Sequence, residues 1–149
     1  MTQEQLLQKY PKIFKPYAGN PRGVNWSGLP DGWISIVDKL CGSIQDYVDN
    51  TYDWINGEKE VRGQVRCTQM KEKFGGLRFY TDSEDDVIEG MIRMAEFLCE
   101  NTCQECGSEE EIGKTRGWIY TICKTCANNR NETSWQSLED LKTLSGSSL

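Results

Sequence analysis

The chain contains no histidine. That absence excludes Ser-His-Asp and Cys-His nucleophile systems, HNH-type nucleases, and zinc deaminases built on an H-x-E motif. Long hydrophobic runs are missing as well, since no stretch approaches the ~20 apolar residues of a membrane span. The opening residues, Met1-Thr2-Gln3-Glu4-Gln5-Leu6, lack the basic start and apolar stretch of a signal peptide. The sequence therefore predicts a cytoplasmic protein with no membrane partner. Basic charge is the minority sign, with Lys+Arg 17 against Asp+Glu 23 and a formal net charge of -6. Such a balance disfavours non-specific attraction to nucleic acid.

What is present is enough for a packed interior. Hydrophobic residues make up 37% and charged residues 27% of 149, with 5 Trp and 6 Tyr, the composition of a folded protein and not of a disordered one. That length suits one ordinary domain, or a domain of roughly 100 residues with a small appended module.

Cysteine is the informative residue. In a reducing compartment 7 cysteines make a poor disulfide framework. Cys103-Gln104-Glu105-Cys106 and Cys123-Lys124-Thr125-Cys126 stand sixteen residues apart, giving C-x2-C-x16-C-x2-C, the spacing of a zinc ribbon. Two residues between thiols let one tight turn present both sulfurs to one ion at ~2.3 Å. Gly107 gives backbone freedom where the first knuckle leaves the metal, whereas the second knuckle has Ala127 there. Four thiolates close the coordination shell, while catalytic zinc keeps a position open for water or substrate. The expectation is one structural Zn²⁺ on Cys103, Cys106, Cys123 and Cys126. The metal and its thiolates together add a charge of about -2. Cys41, Cys67 and Cys99 read as buried core thiols, with Cys99 the one competing ligand.

Along the chain, residues 3–14 open with a short helix ending near Tyr10, because Pro11 biases its predecessor away from helical geometry. Residues 15–31 hold too many prolines and glycines for regular structure, with Tyr17 and Trp26 as anchors to the core. Asp31 is read as the cap of a helix over 32–50, where Trp33, Ile36, Val37, Leu40, Cys41, Ile44, Tyr47 and Val48 keep the three-four spacing of one buried face. Residues 61–71 and 77–81 are predicted as paired strands, with Lys73-Phe74-Gly75-Gly76 as a hairpin turn of positive φ. Ser83 with Asp86 resembles a capping box opening a helix to about residue 100, its inward face Val87, Ile88, Met91, Ile92, Ala95, Leu98 and Cys99. A strand over 116–123 is expected to deliver the second cysteine pair. Trp135, Leu138 and Leu141 suggest a last short helix, and residues 145–149 a frayed end.

These elements predict an α+β fold in which two amphipathic helices pack on a β-hairpin, with the four-cysteine ribbon following. The corresponding division is a core over 1–101, a ribbon over 102–128, and a helix with tail over 129–149. Chelation is expected to melt the ribbon, whose small apolar area leaves its stability to the metal.

One surface stands out within an acidic chain. Residues 61–80 hold Arg62, Arg66, Lys71, Lys73 and Arg78 against Glu72. Strand alternation puts Arg62, Arg66 and Met70 on one face and Val61, Val65 and Cys67 on the other, with Arg78 and Tyr80 opposite Leu77 and Phe79. Phe74 at the tip could stack on a base or insert into a partner's pocket. Arg62, Arg66, Lys71, Lys73, Phe74, Arg78 and Tyr80 are thus the candidate partner-binding residues. The competing reading is a solvated strand face balanced by the chain's own acids.

Other chemistry fits less well. Gly107 and Gly113-Lys114-Thr115 imitate a phosphate loop, but five residues separate the glycines instead of four, and the run lies between the knuckles. Asp82, Glu84, Asp85 and Asp86 are better explained as an acidic first helical turn than as paired catalytic acids. A reactive thiol at Cys67 would need a cation, and alternation points Arg66 to the opposite face.

Taken together, Met70-Lys71-Glu72-Lys73-Phe74-Gly75-Gly76-Leu77-Arg78-Phe79-Tyr80, the helix leading to Cys103-Gln104-Glu105-Cys106-Gly107, and Gly117-Trp118-Ile119-Tyr120-Thr121-Ile122-Cys123 resemble a family of small bacteriophage and prophage proteins of no assigned activity. The resemblance covers about residues 30–128 and implies an origin, not a mechanism. Small acidic phage proteins without catalytic signatures often bind and disable or redirect a host protein. The expectation is a non-enzymatic accessory protein with a host-protein partner in the host cytoplasm. The alternative is a zinc-dependent nucleic-acid binder or transcription modulator using the basic hairpin. Oligomeric state is left open.

Overall fold

The computed structural model describes residues 1–26 and 28–144, apart from the side chains of Asn25, Trp26 and Val61. The predicted Trp26 anchor, the face assigned to Val61 and the frayed end at 145–149 lie outside the described residues.

The chain opens with helix α1, Gln3–Lys9, where Thr2 and Gln5 close a capping box. Pro11 stops it as expected, but also starts α2, Pro11–Phe14, because a proline costs nothing at a first helical position. Strand β1, Asn25–Trp26, follows. A 3-10 turn, Asp31–Trp33, then leads into α3, Ile34–Asn50. Asp31 makes no side-chain cap for this helix, since the turn places Trp33 at the N-cap position. The buried face agrees with the predicted spacing: Trp33, Val37, Leu40, Cys41, Ile44 and Val48 are buried, while Ile36 and Tyr47 are half-buried against the core.

Next comes a hairpin that the strand pattern above did not anticipate: β2, Tyr52–Ile55, and β3, Glu58–Val61, turning on Asn56 (φ 53) and Gly57 (φ 80). Asn-Gly is the pair that a two-residue type I′ turn favours.

The expected strand over 61–71 is therefore two pieces. Residue 61 ends β3, residues 62–66 form no strand, and β4 is Cys67–Lys73, antiparallel to β5, Gly76–Thr81. A register shift between Cys67 and Gln69 breaks the alternation. As a result Met70 does not share a charged face with Arg62 and Arg66. It pairs with Phe79 and both are buried in the core. Strand β1 pairs parallel with β4, completing a three-stranded sheet in the order β1-β4-β5.

Helix α4, Asp86–Glu100, packs on α3 and β5. Its cap is Asp85 and not Ser83: the Asp85 carboxylate accepts the Ile88 N–H at 3.0 Å. Ile88, Ile92, Ala95 and Cys99 face inward, whereas Val87 and Leu98, predicted inward, are exposed at 48% and 40%. With Met94 and Phe97 they give α4 an apolar outer edge.

The C-terminal part is a second small sheet. Strands β6, Ile112–Lys114, and β7, Thr121–Cys123, are antiparallel, and β8, Gln136–Ser137, adds to β6. Helix α5, Lys124–Asn129, follows β7 directly, and α6, Leu138–Leu144, follows β8. The strand expected over 116–123 is thus confined to its last three residues, and the ribbon sheet takes in chain beyond residue 128. Trp135 secures this extension by donating its indole N–H to the Ile122 carbonyl at 2.9 Å. Its ring lies on Gly113, where a Cβ would overlap Trp135 Cε2 and the Gln136 carbonyl oxygen. That close approach, and not phosphate, accounts for glycine in the Gly113-Lys114-Thr115 run.

The molecule is mixed α+β, with one core under the α3–α4 pair and the β1-β4-β5 sheet, and a smaller one inside the ribbon around Ile112, Ile122 and Ala127. Among the described residues no helix is long and apolar enough to cross a membrane.

Candidate functional site

Two turns bring the four predicted cysteines together. Around the first knuckle the Cys103 N–H donates to the Ser108 carbonyl at 2.7 Å, and the Gly107 N–H donates back to the Cys103 carbonyl at 2.9 Å. Gly107 has φ 78, a left-handed conformation that an L side chain would strain. The second knuckle is built differently. Cys123 is the N-cap of α5, its sulfur accepting the Cys126 N–H at 3.4 Å. Here the chain leaves the knuckle as a helix, so Ala127 occupies an ordinary helical position and no glycine is required.

The four Sγ atoms all lie within 4.8 Å of one another. Cys106 and Cys123 are 3.8 Å apart. A tetrahedron with metal–sulfur bonds of ~2.3 Å has edges of about 3.8 Å, so the cluster has the dimensions to hold one metal ion. Burial opposes ionisation of Cys103, yet backbone N–H groups of Cys106, Cys123 and Glu105 outweigh it and bring this thiol down to about 7. Cys126 is pushed up by burial and by the neighbouring thiols, as expected where several sulfurs compete for one charge without a cation.

The other three cysteines belong to the main core. Burial raises Cys67 and Cys99 to about 12, and Cys41 well above its ordinary value. Cys99 is not among the clustered sulfurs. A thiol held protonated in this way is a packing group and a poor nucleophile.

The ribbon is tied to the core at two seams. At the first, the Gly32 N–H donates to the Gln104 carbonyl at 2.9 Å, and the Trp33 indole N–H donates to the Thr102 carbonyl at 3.0 Å. Gly32 lies so close to the knuckle that a Cβ there would overlap the Cys103 carbonyl oxygen and stand 2.8 Å from Gln104 C and Gly107 N. At the second, the Thr121 hydroxyl donates to the Gly75 carbonyl at 2.6 Å. The first seam also feeds the second, because Gln104 accepts the Thr121 N–H through its side chain and donates its own N–H to the Thr121 carbonyl, each at 2.9 Å. Gly32, Gln104 and Thr121 went unremarked in the sequence. Their importance comes from close approach between segments far apart in the chain.

The basic hairpin residues part company in the structure. Arg62 sits beyond β3, in an ion pair with Asp85 at 2.7 Å and 5.3 Å from the Tyr47 ring centre. Arg66 lies 4.5 Å from the Tyr17 ring centre, and its backbone N–H is held by Asp82 at 2.7 Å. Arg78 bends back to donate to the Leu77 carbonyl at 3.0 Å. For Arg62 and Arg66 the competing reading, charge balanced within the chain, describes what the structure contains, whereas Arg78 is held by a backbone carbonyl. Lys71, opposite Arg78 across β4 and β5, and Lys73 pair with no carboxylate among the described residues. Phe74 and Tyr80 are exposed at 67% and 48%.

The most exposed rings outside the predicted set are Trp54 on β2 at 73% and Trp118 in the β6–β7 turn at 75%. The sequence marked Trp118 only as part of a strand, because strand alternation carries no information about a turn.

Fold and site together define a mixed α+β protein carrying a four-cysteine cluster compatible with a zinc ribbon. Compared with known proteins, the chain matches no family model, no curated protein and no solved structure.

Proposed function

We propose that this is a non-enzymatic interaction protein that docks on another protein and is stapled by one structural Zn²⁺. The observation that carries the reading is the placement of Trp54, Phe74 and Trp118 on protruding hairpins and turns, each at least two-thirds exposed. Buried aromatic side chains stabilise a fold, whereas exposed ones on rigid turns supply the anchors by which proteins recognise one another.

Zinc is favoured by the donor set, since four thiolates at tetrahedral spacing suit this ion and leave no open position for substrate. Cys103, Cys106, Cys123 and Cys126 would hold it, and its role would be to fix the ribbon against Gly32 and Gly75. The resemblance to bacteriophage and prophage proteins supports an accessory role in a host cytoplasm, where the partner is a host protein that is inhibited or redirected.

Nucleic-acid binding is the second reading, favoured by Lys71 and Lys73 and weakened by the internal engagement of Arg62, Arg66 and Arg78. A crosslinking pull-down with the metal-loaded chain, with and without nuclease and at two salt concentrations, separates the two. A specific nuclease-resistant protein partner is expected. Recovery only of nuclease- and salt-sensitive material would replace this reading with the second.

A further inference from the structure

Phe74 occupies a position that its side chain does not favour. It has φ 53, followed by Gly75 at φ 75. Both central residues of this β4–β5 turn are therefore left-handed, a geometry that selects Asn, Asp or Gly and strains a bulky residue. The ring recovers little from packing, being 67% exposed. Strain and exposure together indicate that a phenyl group here serves something outside the fold.

A second exposed ring leaves the chain near the seam between Gly75 and Thr121. The Gly75 carbonyl accepts the Thr121 hydroxyl at 2.6 Å, and a Cβ on Gly75 would lie 3.2 Å from Ile119 Cγ2. Phe74 precedes Gly75, and Trp118 precedes Ile119, so both rings leave the chain one residue from the same seam. Trp118 is carried by an ordered turn: its carbonyl accepts the Thr115 hydroxyl at 2.7 Å, and Gly117 before it has φ 72. The charge around the rings is positive. Lys73 has its ammonium 5.6 Å from the Phe74 ring centre, and neither it nor Arg116 pairs with a carboxylate among the described residues. Two acids lie near the turn, Glu72, which accepts the Gly75 N–H at 2.7 Å, and Glu100, whose Oε1 would be 3.4 Å from a Cβ on Gly76; against them stand Arg78 beside Gly76, Lys114 beside Gly75, and Lys73.

We propose that Phe74 and Trp118 form one docking surface for a protein whose apolar pockets are rimmed by Asp or Glu side chains. The inference rests on the protein-binding reading and names its contact residues and the partner's chemistry. Two rings on convex turn tips fit into pockets, whereas single-stranded nucleic acid is held in a charged groove or across an open sheet face. Lys73 and Arg116 supply the charge complementarity that selects an acidic rim. The metal's part is to hold β7, and with it Thr121 and the Trp118 turn, in register with the hairpin tip.

The test is photocrosslinking in bacterial cells making the full chain, with p-benzoylphenylalanine introduced singly at positions 54, 74, 97 and 118. Metal content confirms that each variant folds. The expected result is one and the same polypeptide captured from positions 74 and 118, with the adduct mapping to a segment containing Asp or Glu. With that partner purified, Phe74→Ala and Trp118→Ala should each weaken binding by about tenfold or more. Lys73→Glu with Arg116→Glu should weaken it and flatten its salt dependence, while Phe97→Ala, at an exposed ring on α4, leaves it unchanged. Nucleic acid captured at 74 or 118, or different polypeptides at the two positions, overturns the proposal. Adducts only from 54 or 97 overturn this surface but leave the protein-binding reading standing. No adduct from any of the four positions overturns both.

Discussion

Replacing Gly32 with alanine tests whether the core and the metal knuckle are one mechanical unit. The added Cβ would overlap the Cys103 carbonyl oxygen and lie 2.8 Å from Gln104 C and Gly107 N, all backbone atoms that cannot rotate away. Overpacking of this kind costs about 1–3 kcal/mol. If the two segments separate to relieve it, the Gly32 to Gln104 hydrogen bond of 2.9 Å is lost as well, a further ~1 kcal/mol. The metal-loaded variant should therefore be destabilised by about 2–4 kcal/mol, a fall in Tm of roughly 5 to 15 °C for a chain of this size.

The sign changes when the metal is removed. Without an ion the knuckle loses its fixed shape, the clash disappears, and Gly32 is not left-handed. Alanine then stabilises by about 0.4–1 kcal/mol, through the lower entropy of the unfolded chain. By linkage the difference between the two conditions, about 2.4–5 kcal/mol, is a metal affinity weaker by about 50- to 4,000-fold, measurable by competition with a chelating dye. Urea titrations of both proteins with and without chelator check it. An equal destabilisation in the two conditions would refute the reasoning, because the knuckle would then hold its shape without the ion.

Trp33→Phe, which leaves the Thr102 carbonyl without its indole donor, should cost about 1–3 kcal/mol in a denaturant melt, Trp33 being fully buried. Cys103→Ala should abolish stoichiometric metal binding while Cys99→Ala leaves one ion per chain, as read by elemental analysis; loss of the ion in Cys99→Ala would return that residue to the ligand set. Asp85 has its carboxyl held below the ordinary 3.8 by the Tyr47 hydroxyl, with the Ile88 N–H and Arg62 adding to the effect. Its contribution is therefore present above that value and is lost as pH falls through the lowered one. Asp85→Ala should cost about 1–2 kcal/mol at neutral pH, and the gap from wild type should narrow in thermal melts taken progressively below pH 3.8.

The parts of this molecule that were legible beforehand share a local cause. The cysteine spacing is set by the geometry of a single turn that brings two sulfurs to one point, so it survives as a pattern in the chain. The buried faces of α3 and of most of α4 follow from helical period. The Lys73-Phe74-Gly75-Gly76 turn is read from its glycines. Asn56-Gly57 carried an equally local signal for the β2–β3 hairpin, and the surrounding Asp53, Glu58 and Glu60 masked it by breaking any apolar alternation.

The tertiary structure alone decided which charges were available. Arg62 and Arg66 read as one basic face, with Arg78 on the partner strand, only while residues 61–71 are taken as a continuous strand. The register shift at Cys67 and the approach of Asp85 and Asp82 turn two of them into internal partners. It also decided that Gly32 meets the knuckle at Gln104, and that the hairpin tip meets β7 at Thr121. The physical reason is that spacing along a chain encodes what one helix, turn or ion can reach. Contact between residues 32 and 104, or 75 and 121, depends on how whole elements pack, and no period in the sequence records that.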